Sequence, residues 1–286
     1  MSPSFIMMAD MVMGKIGNNM HSIILTIHNQ EKIISKVIKS ILKFTAQPYE
    51  LVVVFDGCTD KSEKKSLRIL ERQNKLKYKV LYTPDVFETK ANNVGIKSAE
   101  GEKLIIIQDD MIINEKNWNH NLEKPFNNYN DVFSVTAHTA HNFKLKESEE
   151  GLEYGEYYML TFPDAAGWKN NPKLTRDKFY IRQSSNRGPL MINHEIMKAE
   201  NYFDEIYAPQ TYDEHDLNLR VRKKYGFVSG FYPVEFVSDY KWGTTRDDTG
   251  KQVKWHFEAE TRNMKIFYER HKDVFNEKVI EDRKIN

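Results

Sequence analysis

Leu104-Ile-Ile-Ile-Gln-Asp-Asp-Met111 is the stretch on which the fold turns. Four apolar residues in a row predict a short strand buried on both faces, the pattern of a parallel sheet. The run ends in two adjacent carboxylates, Asp109 and Asp110. An acid at the tip of a buried strand needs a partner cation, hydrogen bonds or a divalent metal to offset its lost hydration. Ligands of open α/β sheets bind at the carboxyl ends of strands, where these acids would lie. An isolated Asp-Asp more often caps a turn or faces solvent, so the flanking sequence has to decide.

Upstream, Ser22-Ile-Ile-Leu-Thr-Ile27 predicts a first strand ending at His28-Asn29-Gln30. Ile33, Ile34, Val37, Ile38, Ile41 and Leu42 recur at helical spacing. Glu50 to Phe55 reads as a second strand, followed by the turn Asp56-Gly57-Cys58-Thr59-Asp60. A charged helix from about Ser62, a strand from Tyr78 to Tyr82 and a helix from Glu88 to Ala99 complete a βαβαβαβ order. That order predicts an α/β fold with a mostly parallel, nucleotide-binding sheet flanked by helices. Beyond it the pattern is mixed. We expect a strand over Asp131 to Ala137, a helix over Leu145 to Tyr158, a long surface loop over 163–188 and a strand from Pro189 to Asn193. A helix from Asp213 to Lys224, an extended run from Phe227 to Val237, a polar lid at Gly243 to Gly250 and a closing helix from Glu258 to His271 follow.

Composition narrows the classes of function. Lys and Arg total 42 against 41 Asp and Glu, which gives no whole-chain electrostatic footprint for nucleic acid. Cys58 is the single cysteine, which excludes an internal disulfide and any multi-cysteine metal site and points to a reducing, cytoplasmic setting. No apolar run has the length of a transmembrane segment. The Met-rich residues 1–20 lack the order of a secretion signal and read as a flexible N-terminal extension, with a peripheral membrane contact left open.

Four polar sites thus fall at strand ends or crossovers of one sheet: His28 to Glu31, Asp56-Gly57, Lys90 with Asn92 and Asn93, and Gln108 to Asp110. Asp56 could accept from a base N–H, Lys90 could meet a charge or a base carbonyl, and Asp110 could hold a metal on a diphosphate. Each alone has a plainer reading, as turn former or solvated helix residue.

Over residues 22 to 240 the chain resembles glycosyltransferase family 2, the inverting enzymes of GT-A fold. Ser22 to Glu31 is similar to the family's opening strand and turn, and Val53-Val-Phe-Asp-Gly-Cys-Thr-Asp60 to its Val-Asp-Asp-Gly-Ser-Thr-Asp. Lys90 to Gly101 resembles the segment before its metal motif, and Phe203-Asp-Glu205 with Tyr212-Asp-Glu-His-Asp-Leu-Asn-Leu-Arg220 its acceptor-side motifs. Gln108 replaces the first Asp of Asp-x-Asp, Thr26 stands for a common Pro, Phe55 replaces the first Asp of Asp-Asp-Gly, and the acceptor-side acids are inverted to Asp213-Glu214.

The resemblance implies a GT-A domain over 21–240, its donor half about 21–112 and its acceptor half, of mixed structure, about 113–240, with 241–286 adding a lid and a C-terminal helix. It implies a nucleotide-sugar donor, with UDP-sugar favoured, and a glycan, lipid-linked sugar or other hydroxyl acceptor. The donor would meet Thr26, His28, Asn29, Glu31, Asp56, Lys90, Asn93, Gln108 and Asp109. Asp110, with Asp109, would hold Mn²⁺ or Mg²⁺, and His256 is a further candidate metal ligand. Glu214, or else Asp213, would be the base. One sugar per encounter is expected, because the Gln-x-x-Arg-Trp motif of processive synthases is missing. A nucleotidyltransferase would be expected to open with a Gly-rich basic loop, which His28-Asn29-Gln30 is not. A degenerate domain that binds nucleotide sugars or glycans without turnover is the non-enzymatic alternative.

Overall fold

The computed structural model describes residues 20–148, 151–160, 174–239, 241–247, 249 and 251–286. Met20 apart, the expected N-terminal extension lies outside them, as does the first part of the expected long loop. The first half alternates as its hydrophobic pattern requires: β1 (His21–Ile27), α1 (Ile34–Phe44), β2 (Tyr49–Asp56), α2 (Ser62–Leu70), β3 (Lys77–Thr83), α3 (Phe87–Ser98) and β4 (Lys103–Gln108). These four strands pair in parallel in the order β3-β2-β1-β4.

Successive side chains of the central strands point to opposite faces and feed two cores. Ile23, Leu25, Ile105 and Ile107 pack with Val37, Ile38 and Ile41 of α1. Ile24, Leu104 and Ile106 pack with Ile96 of α3. A continuous apolar run is therefore what a sheet covered on both faces demands. Gly95 lets α3 approach closely, since a Cβ there would lie 2.7 Å from Ile24 Cγ2 and 3.0 Å from Val54 Cγ2.

The second half extends the same sheet with mixed strands. In chain order come β5 (Ile112–Ile113), α4 (Trp118–Asn128), β6 (Val132–Thr136), β7 (Ala140–Ser148), β8 (Gly151–Leu160), β9 (Lys178–Arg182), β10 (Ser184–Ser185), β11 (Leu190–Asn193), α5 (His194–Ala199), α6 (Asp213–Tyr225), β12 (Val228–Phe231), β13 (Phe236–Val237), α7 (Lys254–His271) and β14 (Glu281–Lys284). The main sheet runs β14-β9-β12-β6-β11-β4-β1-β2-β3. β11 inserts antiparallel between β4 and β6, which joins the two halves in one sheet.

Two expectations are corrected. The helix expected over Leu145 to Tyr158 is instead the β7–β8 pair, with Leu145 opposite Tyr154 and Phe143 opposite Glu156. Gly151 and Gly155 disfavour a helix and the tyrosines favour a strand. The expected loop over 163–188 contains β9 and β10 in its described part. β14 had no counterpart in the sequence reading. Its Glu-Asp-Arg-Lys composition is that of a charged edge strand, and Arg283 fastens it to Asp131 at 2.6 Å. Among the described residues no helix is long and apolar enough to cross a membrane.

Candidate active site

The parallel register of β1, β2 and β4 brings His28, Asp56 and Gln108 to Asp110 to one edge of the sheet. They line a cavity with Thr26, Asn92 and Ile107, roofed by Phe87, Glu88, Gln210 and the segment Gly243 to Thr245. Local hydrogen bonds hold this edge. The His28 amide donates to Asp109 Oδ2 at 2.8 Å, and Thr26 Oγ1 to Asn92 Oδ1 at 2.8 Å. Asp56 is fully buried and accepts from Thr83 Oγ1, the Val86 amide and the Phe87 amide at 2.7–2.8 Å. It thereby tethers the start of α3 while lining the cavity.

Carboxylates crowd the inner wall. Burial, then the neighbouring Glu88, pushes Asp110 up to about 6, and burial together with Asp110 pushes Asp109 well above the usual carboxylate range. Glu88 is itself raised by burial and accepts from Gln108 Nε2 at 3.0 Å. Asp110 Oδ1 is buried with no hydrogen-bond partner. An unsatisfied carboxylate oxygen beside two further acids suits a hard divalent cation. Among the described residues the one three-ligand group at this edge is His28, Asp56 and Asp85. It suits a cation less well, because the Asp56 oxygens are already engaged. Asp110 and Asp109 would therefore hold an ion with few protein ligands, leaving room in its shell for water and phosphate oxygens.

A second cavity adjoins the first through Glu88, Gln108, Gln210 and Thr245, which line both. Its far wall is Glu214, at the start of α6, with His138, Asn186, Tyr212 and His215. The helix N-terminus favours negative charge here. Asp213 and Glu214 are in different situations. Asp213 is fully buried in a bidentate pair with Arg187, at 2.7 and 3.0 Å, and lines neither cavity. Burial pushes its carboxyl up, against the pull of Arg187. Glu214 faces the cavity, and its Oε2 lies 3.2 Å from Arg187 Nη2 without a hydrogen bond. Burial opposes the Arg187 charge, but Asp213, Glu214 and Glu88 outweigh it and push the guanidinium up, so it stays cationic.

Other residues named from the sequence sit elsewhere. Asn29 Oδ1 accepts from Thr59 and Asp60, and Glu31 accepts from the Lys61 amide, so both brace the two turns against each other. Asn93 bonds Phe203 and Glu205, pinning α3 to that loop, while Asn92, one residue earlier, faces the first cavity. Lys90 lines neither cavity. His256 lines the second cavity, away from Asp110, and contacts Gln252; burial lowers its pKa. Asp216 pairs with Arg220 at 2.7 Å, four residues on along the same helix face. Glu88, Arg187, His138 and Gln210 were not anticipated. Arg187-Gly188, in a polar run between two short strands, was the available signal for one of them.

The family model described as Glycosyl transferase family 2 matches residues 22–190. An uncharacterized glycosyltransferase of Haemophilus influenzae is 32% identical over 108 residues, 37% of this chain and 40% of that protein. The poly(ribitol-phosphate) beta-N-acetylglucosaminyltransferase TarS of Staphylococcus aureus is 37% identical over 100 residues, 33% of this chain and 17% of TarS. The matches thus span less than half the length of these relatives. Among solved structures, GalNAc-T7 with UDP, GalNAc and Mn²⁺ superposes with a TM-score of 0.64 at 15% identity, covering 89% of this chain and 49% of that one. TarS 1-349 with UDP-GlcNAc gives 0.53 at 18%, covering 90% and 73%. These neighbours share the GT-A fold expected from the sequence. With the family model spanning more than half of its length and strand-end acids gathered at one edge of the sheet, the chain belongs to glycosyl transferase family 2.

Proposed function

We propose that the protein transfers one sugar from a nucleotide-diphosphate sugar, UDP-sugar favoured, to an acceptor hydroxyl with inversion, as a step in glycan biosynthesis. The observation that carries this is the pair of joined cavities. One ends in the unsatisfied Asp110 carboxylate and the other in Glu214, with Glu88, Gln108, Gln210 and Thr245 common to both. A donor sugar at this junction would have its leaving group toward Asp110 and its open face toward Glu214, the disposition that in-line displacement needs.

A divalent ion held by Asp110 and Asp109 would supply neutralising charge for the departing diphosphate. The chain's own residues do the rest. Glu214 removes the proton of the attacking hydroxyl, an assistance worth about 10² or more in rate. Arg187 orients Glu214 and occupies Asp213, so a single carboxylate of the pair is presented to the acceptor. Gly243 to Thr245 cover the donor cavity and keep water from the anomeric carbon. Asp56, His28 and Thr26 line the deep end, where the nucleoside would lie.

The test is release of nucleoside diphosphate from a panel of UDP- and GDP-sugars with Mn²⁺ or Mg²⁺. We expect release from at least one donor, abolished by EDTA and by Asp110→Asn. Tight donor binding with no turnover under any acceptor would identify a binding module instead.

A further inference from the structure

We propose that the acceptor cavity takes an uncharged, polyhydroxylated unit, so that the sugar or polyol carrying the attacking hydroxyl bears no phosphate or carboxylate beside Glu214. This rests on the reading of the Glu214 side as the acceptor side.

A phosphoryl or carboxylate group offers only acceptor oxygens, and its burial calls for a cation or several free N–H donors. Among the described residues Arg187 is the one Lys or Arg lining this cavity. Its guanidinium is already committed, bidentate to Asp213, 3.2 Å from Glu214 and 3.6 Å from Glu88. Arg246 of the lid is exposed and outside the lining. Against this cation stand three carboxylates of the same lining, Glu88, Glu214 and Glu260.

The histidines do not restore the balance. Burial brings His138 down to about 4; burial, then Arg187, brings His215 down to about 3. Burial also lowers His256. All three face the cavity as neutral rings near pH 7.

Such a lining has carboxylate oxygens and neutral imidazoles, with the Asn186 amide and the Tyr212 hydroxyl between them. A sugar hydroxyl satisfies it from both sides, donating to a carboxylate and accepting from an amide or ring N–H. An anion in the same place meets uncompensated negative charge at short range, where the dielectric is low. The wall that accommodates hydroxyls therefore rejects phosphate.

The full chain with Mn²⁺ and the donor panel of UDP-GlcNAc, UDP-glucose and UDP-galactose is assayed for UDP release. Matched acceptors are ribitol against ribitol 5-phosphate and glucose against glucose 6-phosphate, with UDP binding measured by calorimetry on the same preparation. We expect the uncharged members to stimulate release about tenfold or more over their phosphorylated partners. Glu260→Lys, which reverses one charge of the lining, should narrow that preference. Equal or greater stimulation by the phosphorylated members, or a preference unmoved by Glu260→Lys, would overturn the inference while UDP binding still stands. Failure of UDP to bind with Mn²⁺ would overturn the sugar-transfer reading itself, and the inference with it.

Discussion

Asp110→Asn should make the metal-free chain more stable and, at the same time, inactive. The Asp110 carboxyl is raised from an ordinary 3.8 to about 6, by burial first and by Glu88 second. Two pKa units correspond to about 3 kcal/mol, the upper limit of what the ionised side chain costs the folded state. Asp110 keeps some contact with solvent, so about 1–2 kcal/mol is the realistic figure. The sign follows from proton binding. Below pH 3.8 the group is protonated folded or unfolded and costs nothing. Between 3.8 and about 6 the folded chain holds the proton longer, so wild-type stability falls as pH rises, and the cost is complete above 6. Asparagine keeps a carbonyl oxygen and cannot ionise. Urea denaturation in EDTA should therefore show the variant ahead by about 1–2 kcal/mol at pH 7.5 and level with wild type near pH 4. Mn²⁺ with UDP should reverse the order, because only the wild-type carboxylate gains the ion. A variant less stable than wild type at pH 7.5, or a gap that ignores pH, would mean that the buried Asp110 charge does not burden the fold.

Glu214→Gln should lower diphosphate release with acceptor by about 10² or more and leave the Kd for UDP unchanged, since a base acts on the attacking hydroxyl and not on the nucleotide. Parallel kinetics of Asp213→Asn would expose a wrong assignment if that variant alone lost turnover. Arg187→Met strips the cation from buried Asp213 and should cost about 3–5 kcal/mol in urea denaturation at neutral pH, whereas a cost below about 1 kcal/mol would mean the pair is not holding this wall. Asp216 is fully buried; burial raises its carboxyl, but the bond with His271 and the nearby Arg220 outweigh this and hold it down at about 2. Its ion pairing should contribute about 2 kcal/mol above pH 4 that is lost as pH falls toward 2, so the deficit of Asp216→Asn should shrink over that window; a deficit constant from pH 7 to 2 would contradict the ionic role.

The parallel half of the fold was legible because its central strands β1, β2 and β4 are buried on both faces, with only the edge strand β3 partly exposed. Leu104 to Ile107 and Leu51 to Phe55 have almost no polar interruption, and the α1 apolar residues keep strict helical spacing. The second half was harder for definite reasons. β7 and β8 carry Lys144, Lys146, Glu147, Glu153 and Glu156 at spacings that a helix would also tolerate, and β14 is held by pairing with β9 and by Arg283 instead of by apolar content. At the site, residues at strand ends could be placed from register alone, which is how His28, Asp56, Gln108, Asp109 and Asp110 came together. Helix residues could not, because one step along α3 turns a side chain by about 100°. That step separates Asn92, in the cavity, from Asn93, which bonds Phe203. Glu88 and Arg187 owe their importance to contacts between segments far apart in sequence, which no local pattern encodes.

Whether Asp110 grips the metal of a bound nucleotide is read from a crystal of the full chain soaked with UDP and Mn²⁺, its anomalous signal mapped at the manganese edge. We expect a single strong peak bonded to the Asp110 carboxylate and to diphosphate oxygens, with the uracil toward Asp56 and Glu214 open to the acceptor cavity. A peak bound elsewhere, or a diphosphate lying clear of Asp110, would contradict it.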